Sequence, residues 1–109
     1  MKRIETVTEF STPGIGKAAD LARFAGALSH AVRVELLDLL KKRPRSSCTD
    51  LSQSLELGDS IVGQHLKVMR GAGLIEGMAI GKQLIFFVNQ QNLLLFQTIM
   101  ANMSQGVDL

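Results

Sequence analysis

The hydrophobic period of this chain changes twice. As far as Gly73 the apolar residues recur at helical spacing; from Leu74 to Val88 they run as two short strand-like segments; from Gln91 the helical spacing returns. Few architectures accommodate this order within 109 residues, because a single small core has to serve both kinds of element.

The helical part divides at recognisable stops. Residues 1–14 lack periodicity and end in the turn signal Thr12-Pro13-Gly14, so a flexible N-terminal arm is expected there. A folded domain is expected over 15–105 and a short tail over 106–109. Ala18, Leu21, Ala22, Phe24, Ala25 and Leu28 mark a first helix. Ser29 is the expected N-cap of a second, carried by Val32, Leu36, Leu37, Leu39 and Leu40 and stopped by Pro44. Ser47-Cys48-Thr49-Asp50 has the form of a capping box and starts a third, with Leu51, Leu55 and Leu57 as its apolar face. After the turn Glu56-Leu57-Gly58-Asp59, a fourth helix carries the stripe Val62, Leu66, Met69 and ends at Gly71-Ala72-Gly73. Gly81-Lys82 suits a tight hairpin between the two strands. The expected fold is α+β and mostly α, in the order α-α-α-α-β-β-α: a winged helix-turn-helix.

Charge is informative through its distribution. The net charge is only +2, yet residues 41–82 hold seven basic side chains against four acidic ones, while residues 1–40 balance. The excess therefore sits where a polyanion-binding module would place it. No run approaches the roughly 18–20 apolar residues of a membrane span. The charged start runs into polar residues rather than the apolar stretch of a secretory signal. Cys48 is the single cysteine, so no internal disulfide forms and a cytoplasmic location is expected. No paired carboxylates, Ser-His-Asp set, Cys-His pair or phosphate-cradling glycine loop can be assembled, so no enzyme, catalytic residue or cofactor is expected.

A helix laid in the major groove needs one apolar face held by the domain and one face of short polar or cationic groups. With Val62, Leu66 and Met69 turned inward, Ser60, Gly63, Gln64 and Lys67 share such a face. Gln64 suits a bidentate contact to adenine, Lys67 a guanine edge or a phosphate, and Gly63 a close approach. Thr49 and the basic cluster Lys41 to Arg45 are expected near the sugar-phosphate backbone, and Lys82 at the hairpin tip near an adjacent phosphate. The last helix, with Leu94, Leu95, Ile99, Met100 and Met103 and no charge between Gln91 and Met103, would leave a large apolar patch on a monomer. Together with Leu21 and Phe24 it is expected to form an isologous homodimer contact, so that the dimer joins through its first and last helices.

Two stretches resemble a known family. Ala27-Leu28-Ser29-His30-Ala31-Val32-Arg33 and Leu55 to Ile75, with its His65-Leu66-Lys67-Val68-Met69-Arg70-Gly71-Ala72-Gly73-Leu74 core, are similar to ArsR/SmtB-type repressors over about residues 16–103. The resemblance implies a homodimer that represses promoters by binding double-stranded DNA at an inverted-repeat operator until an inducer, not identifiable from the residues, releases it. It also places His65 and Arg70 in the recognition motif. One departure concerns metal. Family members that sense arsenic or metals carry a cysteine pair at the third helix, and here Ser47 and Thr49 occupy both thiolate positions, with Cys48 between them. No metal site is therefore expected. Asp59 is uncommon at the start of the reading helix and would repel a phosphate. Two alternatives are a winged-helix protein-interaction module without DNA binding, to which Asp59 and the arginine-poor hairpin point, and a redox sensor acting through Cys48.

Overall fold

The computed structural model describes residues 13–106. Most of the expected arm and tail, residues 1–12 and 107–109, lies outside that range. The elements are α1 (Pro13–Ala27), α2 (Ala31–Lys42), β1 (Ser46–Ser47), α3 (Cys48–Leu55), α4 (Asp59–Gly71), β2 (Ile75–Ile80), β3 (Gln83–Val88) and α5 (Gln90–Ser104). This is the expected order with one addition. Ser46 and Ser47 form a two-residue strand whose partners are Phe86 and Ile85, giving an antiparallel sheet of order β1-β3-β2. Two residues are too few to show a period, so only the pairing reveals the strand.

The caps explain where the helices begin. Pro13 opens α1, two residues earlier than the expected start, at a position where a missing N–H costs nothing. The cap of α2 is His30, not Ser29: its Nδ1 accepts from the Val32 amide at 3.1 Å. The Ser29 hydroxyl instead donates back to the Gly26 carbonyl at 2.7 Å and belongs to the end of α1. The capping box of α3 is present in both directions. The Asp50 amide donates to the Ser47 hydroxyl and the Ser47 amide to the Asp50 carboxylate, each at 3.1 Å. Gly58 caps α4 without a side chain. Gly73 turns the chain into β2 at φ +86, and a Cβ there would come within 2.9 Å of the Asn92 amide nitrogen. Asn92 donates to the Gly73 carbonyl, tying the start of α5 to this turn.

The core gathers Phe24, Leu36, Leu40, Leu51, Val62, Leu66, Met69, Leu74 and Ile75 around the inner face of α4. α1 lies against α5, and α4 is held between α2, α3 and β2. Among the described residues no helix is long and apolar enough to cross a membrane.

The expected dimer set divides. Phe24 is fully buried and Ile99 is 3% exposed within the protomer, so neither can present a surface to a second copy. Phe24 packs against Phe96, ring centroids 5.9 Å apart, and Leu93 joins the same core; neither Leu93 nor Phe96 stands out in the sequence. Leu21 and Leu95 are half-buried. Leu94 is 63% exposed, and Met100 and Met103 are each 48% exposed. On α1, Ala18, Ala22 and Ala25 are also exposed.

Candidate nucleic-acid interface

Helix α4 has three sides with different occupants. Val62, Leu66 and Met69 fill the core, which leaves Ser60, Gln64, Lys67 and Gly71 exposed on the opposite side. Ser60, Gln64 and Lys67 therefore project together, as their spacing predicts. Gly63 does not join them. It is half-buried and faces α3, where a Cβ would lie 4.0 Å from the Cys48 sulfur. That distance is ordinary contact, so the missing side chain is not what lets the two helices approach.

His65 also departs from the expected face. It is half-buried and points toward α2: its Nδ1 lies 3.2 Å from a guanidinium nitrogen of Arg33, and its ring sits 4.4 Å from that of His30. Arg33 organises this corner. Its Nε donates to the Ala27 carbonyl at 2.6 Å, meeting the unpaired carbonyls at the end of α1. One side chain thus joins α1, α2 and α4. The sequence signal for Arg33 is its place in the stretch that carries the family resemblance.

The hydrogen bonds define the protonation of the two imidazoles. A guanidinium and a backbone amide can only donate, so Nδ1 of His65 and Nδ1 of His30 both accept. Neither Nδ1 lone pair is therefore free for a metal. Among the described residues, no three His, Cys, Asp or Glu side chains gather to hold a metal ion. Burial, followed by the neighbouring His30 and Arg33 charges, holds the pKa of His65 below its ordinary 6.5.

The sign of the linkage follows from that lowered value. The folded chain resists a proton that the unfolded chain accepts, so the contribution of neutral His65 is complete above pH 6.5. It declines as pH falls from 6.5 through the lowered folded value. Urea unfolding between pH 7.5 and pH 5 is expected to show wild type losing stability relative to His65→Asn, whose amide oxygen can accept from Arg33 without titrating. A constant difference between the two across that range would rule out His65 as the titrating group.

At the other end of α4 the structure brings the α3 start and the hairpin together. The Thr49 hydroxyl donates to the Asp59 carboxylate at 3.3 Å, so the acidic residue expected to repel a phosphate is held against α3. Asp59 also lies in the first turn of α4, where a negative charge suits the helix dipole. Thr49, Lys82 and Gln83 share an open cleft of about 280 Å³ with Ser47, Cys48, Leu84 and Phe86. Arg70 lies across β2; Gly77 leaves room for it, since a Cβ there would come within 3.2 Å of the guanidinium carbon. Lys41, Lys42, Arg43 and Arg45 are all exposed. Lys42 pairs with Asp38 at 2.9 Å, and Arg43 reaches the Ser54 hydroxyl of α3. Cys48 is half-buried, its sulfur 3.5 Å from the Asp59 carbonyl and 3.8 Å from the Ser52 hydroxyl.

Two residues of the exposed side are absent from the sequence-based reading. Ile61 is 52% exposed and Val68 is 46% exposed, seven positions apart on the flank of α4 toward His65. The signal was available, since both lie off the Val62, Leu66, Met69 stripe.

Comparison with known proteins agrees with this architecture. Residues 30–76 match the family profile described as bacterial regulatory protein, arsR family. An uncharacterized HTH-type transcriptional regulator of Methanocaldococcus jannaschii is 35% identical over 60 residues, covering 55% of this chain and 62% of its own length. The chain spans about three fifths of the length of the curated relatives it matches. Among solved structures, an ArsR-like transcriptional regulator from Rhodococcus sp. RHA1 superposes with a TM-score of 0.75 at 24% identity, covering 84% of each chain. A homodimeric winged helix-turn-helix DNA-binding domain from Mycobacterium bovis gives 0.70 at 18% identity, covering 88% of this chain and 89% of that one. The family match spans α2, α3 and α4, the helices that build the exposed face, and the surrounding fold is shared with these domains. Residues 30–76 are thus similar to the arsR family, and the described residues share the winged helix-turn-helix fold of these structures.

Proposed function

We propose that this chain is a sequence-specific DNA-binding transcription regulator, acting as a repressor and binding an inverted-repeat operator as a homodimer in the cytoplasm. The observation that carries this reading is the orientation of α4: Val62, Leu66 and Met69 are sealed in the core while Ser60, Gln64 and Lys67 stand free. Gln64 and Lys67 are the base-reading groups, Thr49 and Lys82, which share a cleft between the start of α3 and the hairpin, are assigned to the sugar-phosphate backbone, and repression is what the family resemblance implies. The homodimeric state of the Mycobacterium bovis domain supports the same assembly here. The exposed Leu94, Met100 and Met103 on α5, with Leu21 on α1, supply the surface.

Selection of bound duplexes from a random library tests the proposal. A preferred inverted repeat is expected, with half-sites spaced by about one helical turn, ~34 Å, or a multiple of it. Its affinity should fall with salt at a log–log slope of about −0.9 per phosphate neutralised. Failure to retain any duplex at low salt would leave a protein-interaction module in its place. Sedimentation is expected to give twice the monomer mass at micromolar concentration. Leu94→Asp with Met100→Asp should shift it to the monomer without unfolding the protomer, because both side chains lie outside the core. A wild-type monomer would remove the two-fold from the DNA geometry.

A further inference from the structure

We propose that Ile61 reads the methyl group of a thymine next to the contact made by Gln64, so that the first two turns of α4 are built to recognise an A·T pair in each half-site. The inference rests on the DNA-reading proposal and adds to it the base chemistry that the helix selects. Ile61 has no part in the core among the described residues and is 52% exposed on the third position of α4. A β-branched side chain there is not favoured locally, since it loses rotamer freedom against the preceding turn. Exposed as it is, it also keeps apolar surface in water that a contact would remove.

Its surroundings point to one partner. Beside it stand Ser60 and Gln64, both polar and exposed, and two turns further along the same flank the exposed Val68, so the aliphatic surface here is two side chains and no more. Such a setting matches the edge of a duplex better than an apolar protein surface, which would want a broader hydrophobic patch. Residues three apart on a helix are neighbours, with Cβ atoms about 5–6 Å apart. In the major groove adenine offers N6 and N7 to a glutamine amide, while its partner thymine offers, alone among the four bases, a C5-methyl group. An amide beside a branched aliphatic group is therefore complementary to the two edges of an A·T pair or of adjacent A·T pairs. The position near the N-terminal end of α4 is the one from which a recognition helix reaches base edges. His65, hydrogen-bonded to Arg33 and with its ring tilted against that of His30, braces the adjoining flank of the helix.

The test uses the duplex selected from the random library, with thymine replaced by uracil one position at a time. Uracil keeps the pairing and lacks only the methyl. For wild type, binding should weaken about fourfold at one thymine per half-site, the weight of one buried methyl group, and about fifteenfold when both half-sites are changed. Ile61→Ala should bind the thymine and uracil duplexes alike, while still preferring A·T over G·C at the Gln64 position. Wild type indifferent to uracil at every position would overturn the inference and leave the DNA reading standing. Equal uracil sensitivity in Ile61→Ala would also overturn it, by showing that the methyl acts through DNA shape. If the library yields no preferred duplex, the DNA reading fails and takes this inference with it.

Discussion

Replacing Phe24 by alanine is expected to lower the free energy of unfolding by about 3–5 kcal/mol, a large share of the roughly 5–15 kcal/mol that holds a domain of this kind together. Phe24 is fully buried and meets Phe96 across the α1–α5 contact, ring centroids 5.9 Å apart and planes tilted by 57°. The Arg23 guanidinium lies 4.6 Å from the Phe24 ring centroid, and its Nε donates to the Ala72 carbonyl at 3.1 Å, just beyond α4. The substitution therefore empties the core at the point where α1 is pinned both to α5 and to the end of α4. Phe24→Leu, which keeps most of the volume, should cost clearly less. Urea unfolding of the three proteins at matched concentration is the measurement. An alanine variant within 1 kcal/mol of wild type would show that the α1–α5 contact is not part of the cooperative core.

The second large effect concerns binding rather than folding. Gln64→Ala combined with Lys67→Ala should weaken binding to the selected operator by at least tenfold and up to several hundredfold, because each good bidentate base contact is worth about 1–3 kcal/mol. The two positions are neighbours on the helix, so their effects need not add. Both side chains are exposed and outside the core, so the variant should fold as wild type does. The informative quantity is the ratio of operator to random-duplex binding at one salt concentration. Gln64→Ala alone should relax discrimination at one base pair per half-site. Were that ratio unchanged in the double variant, the reading side chains would have to be sought elsewhere on the surface.

Much of this arrangement was legible one segment at a time. The stripe Val62, Leu66, Met69 is a period of one helix, and a period settles which side is apolar before any partner is known. The reciprocal hydrogen bonds of Ser47 and Asp50 join residues three apart, so they too can be read from the sequence. Gly81, at φ +62, supplies the turn of the hairpin in the same local way. His65 and Gly63 were not legible in this sense. Each lies between the apolar and the polar side of α4, and its surroundings depend on what stands beside the helix: Arg33 and His30 for one, Cys48 for the other.

The sequence alone therefore determined the succession of elements, the inward side of α4 and the chemistry of Ser60, Gln64 and Lys67 on its outer side. Those are properties of neighbouring residues along one chain segment. Tertiary structure decided the third strand, the inward turn of His65, and the division of α5 into a buried Ile99 and Leu93 and an exposed Leu94 and Met100. An apolar helix offers more than one side for burial, and only the helix packed against it selects which side is taken.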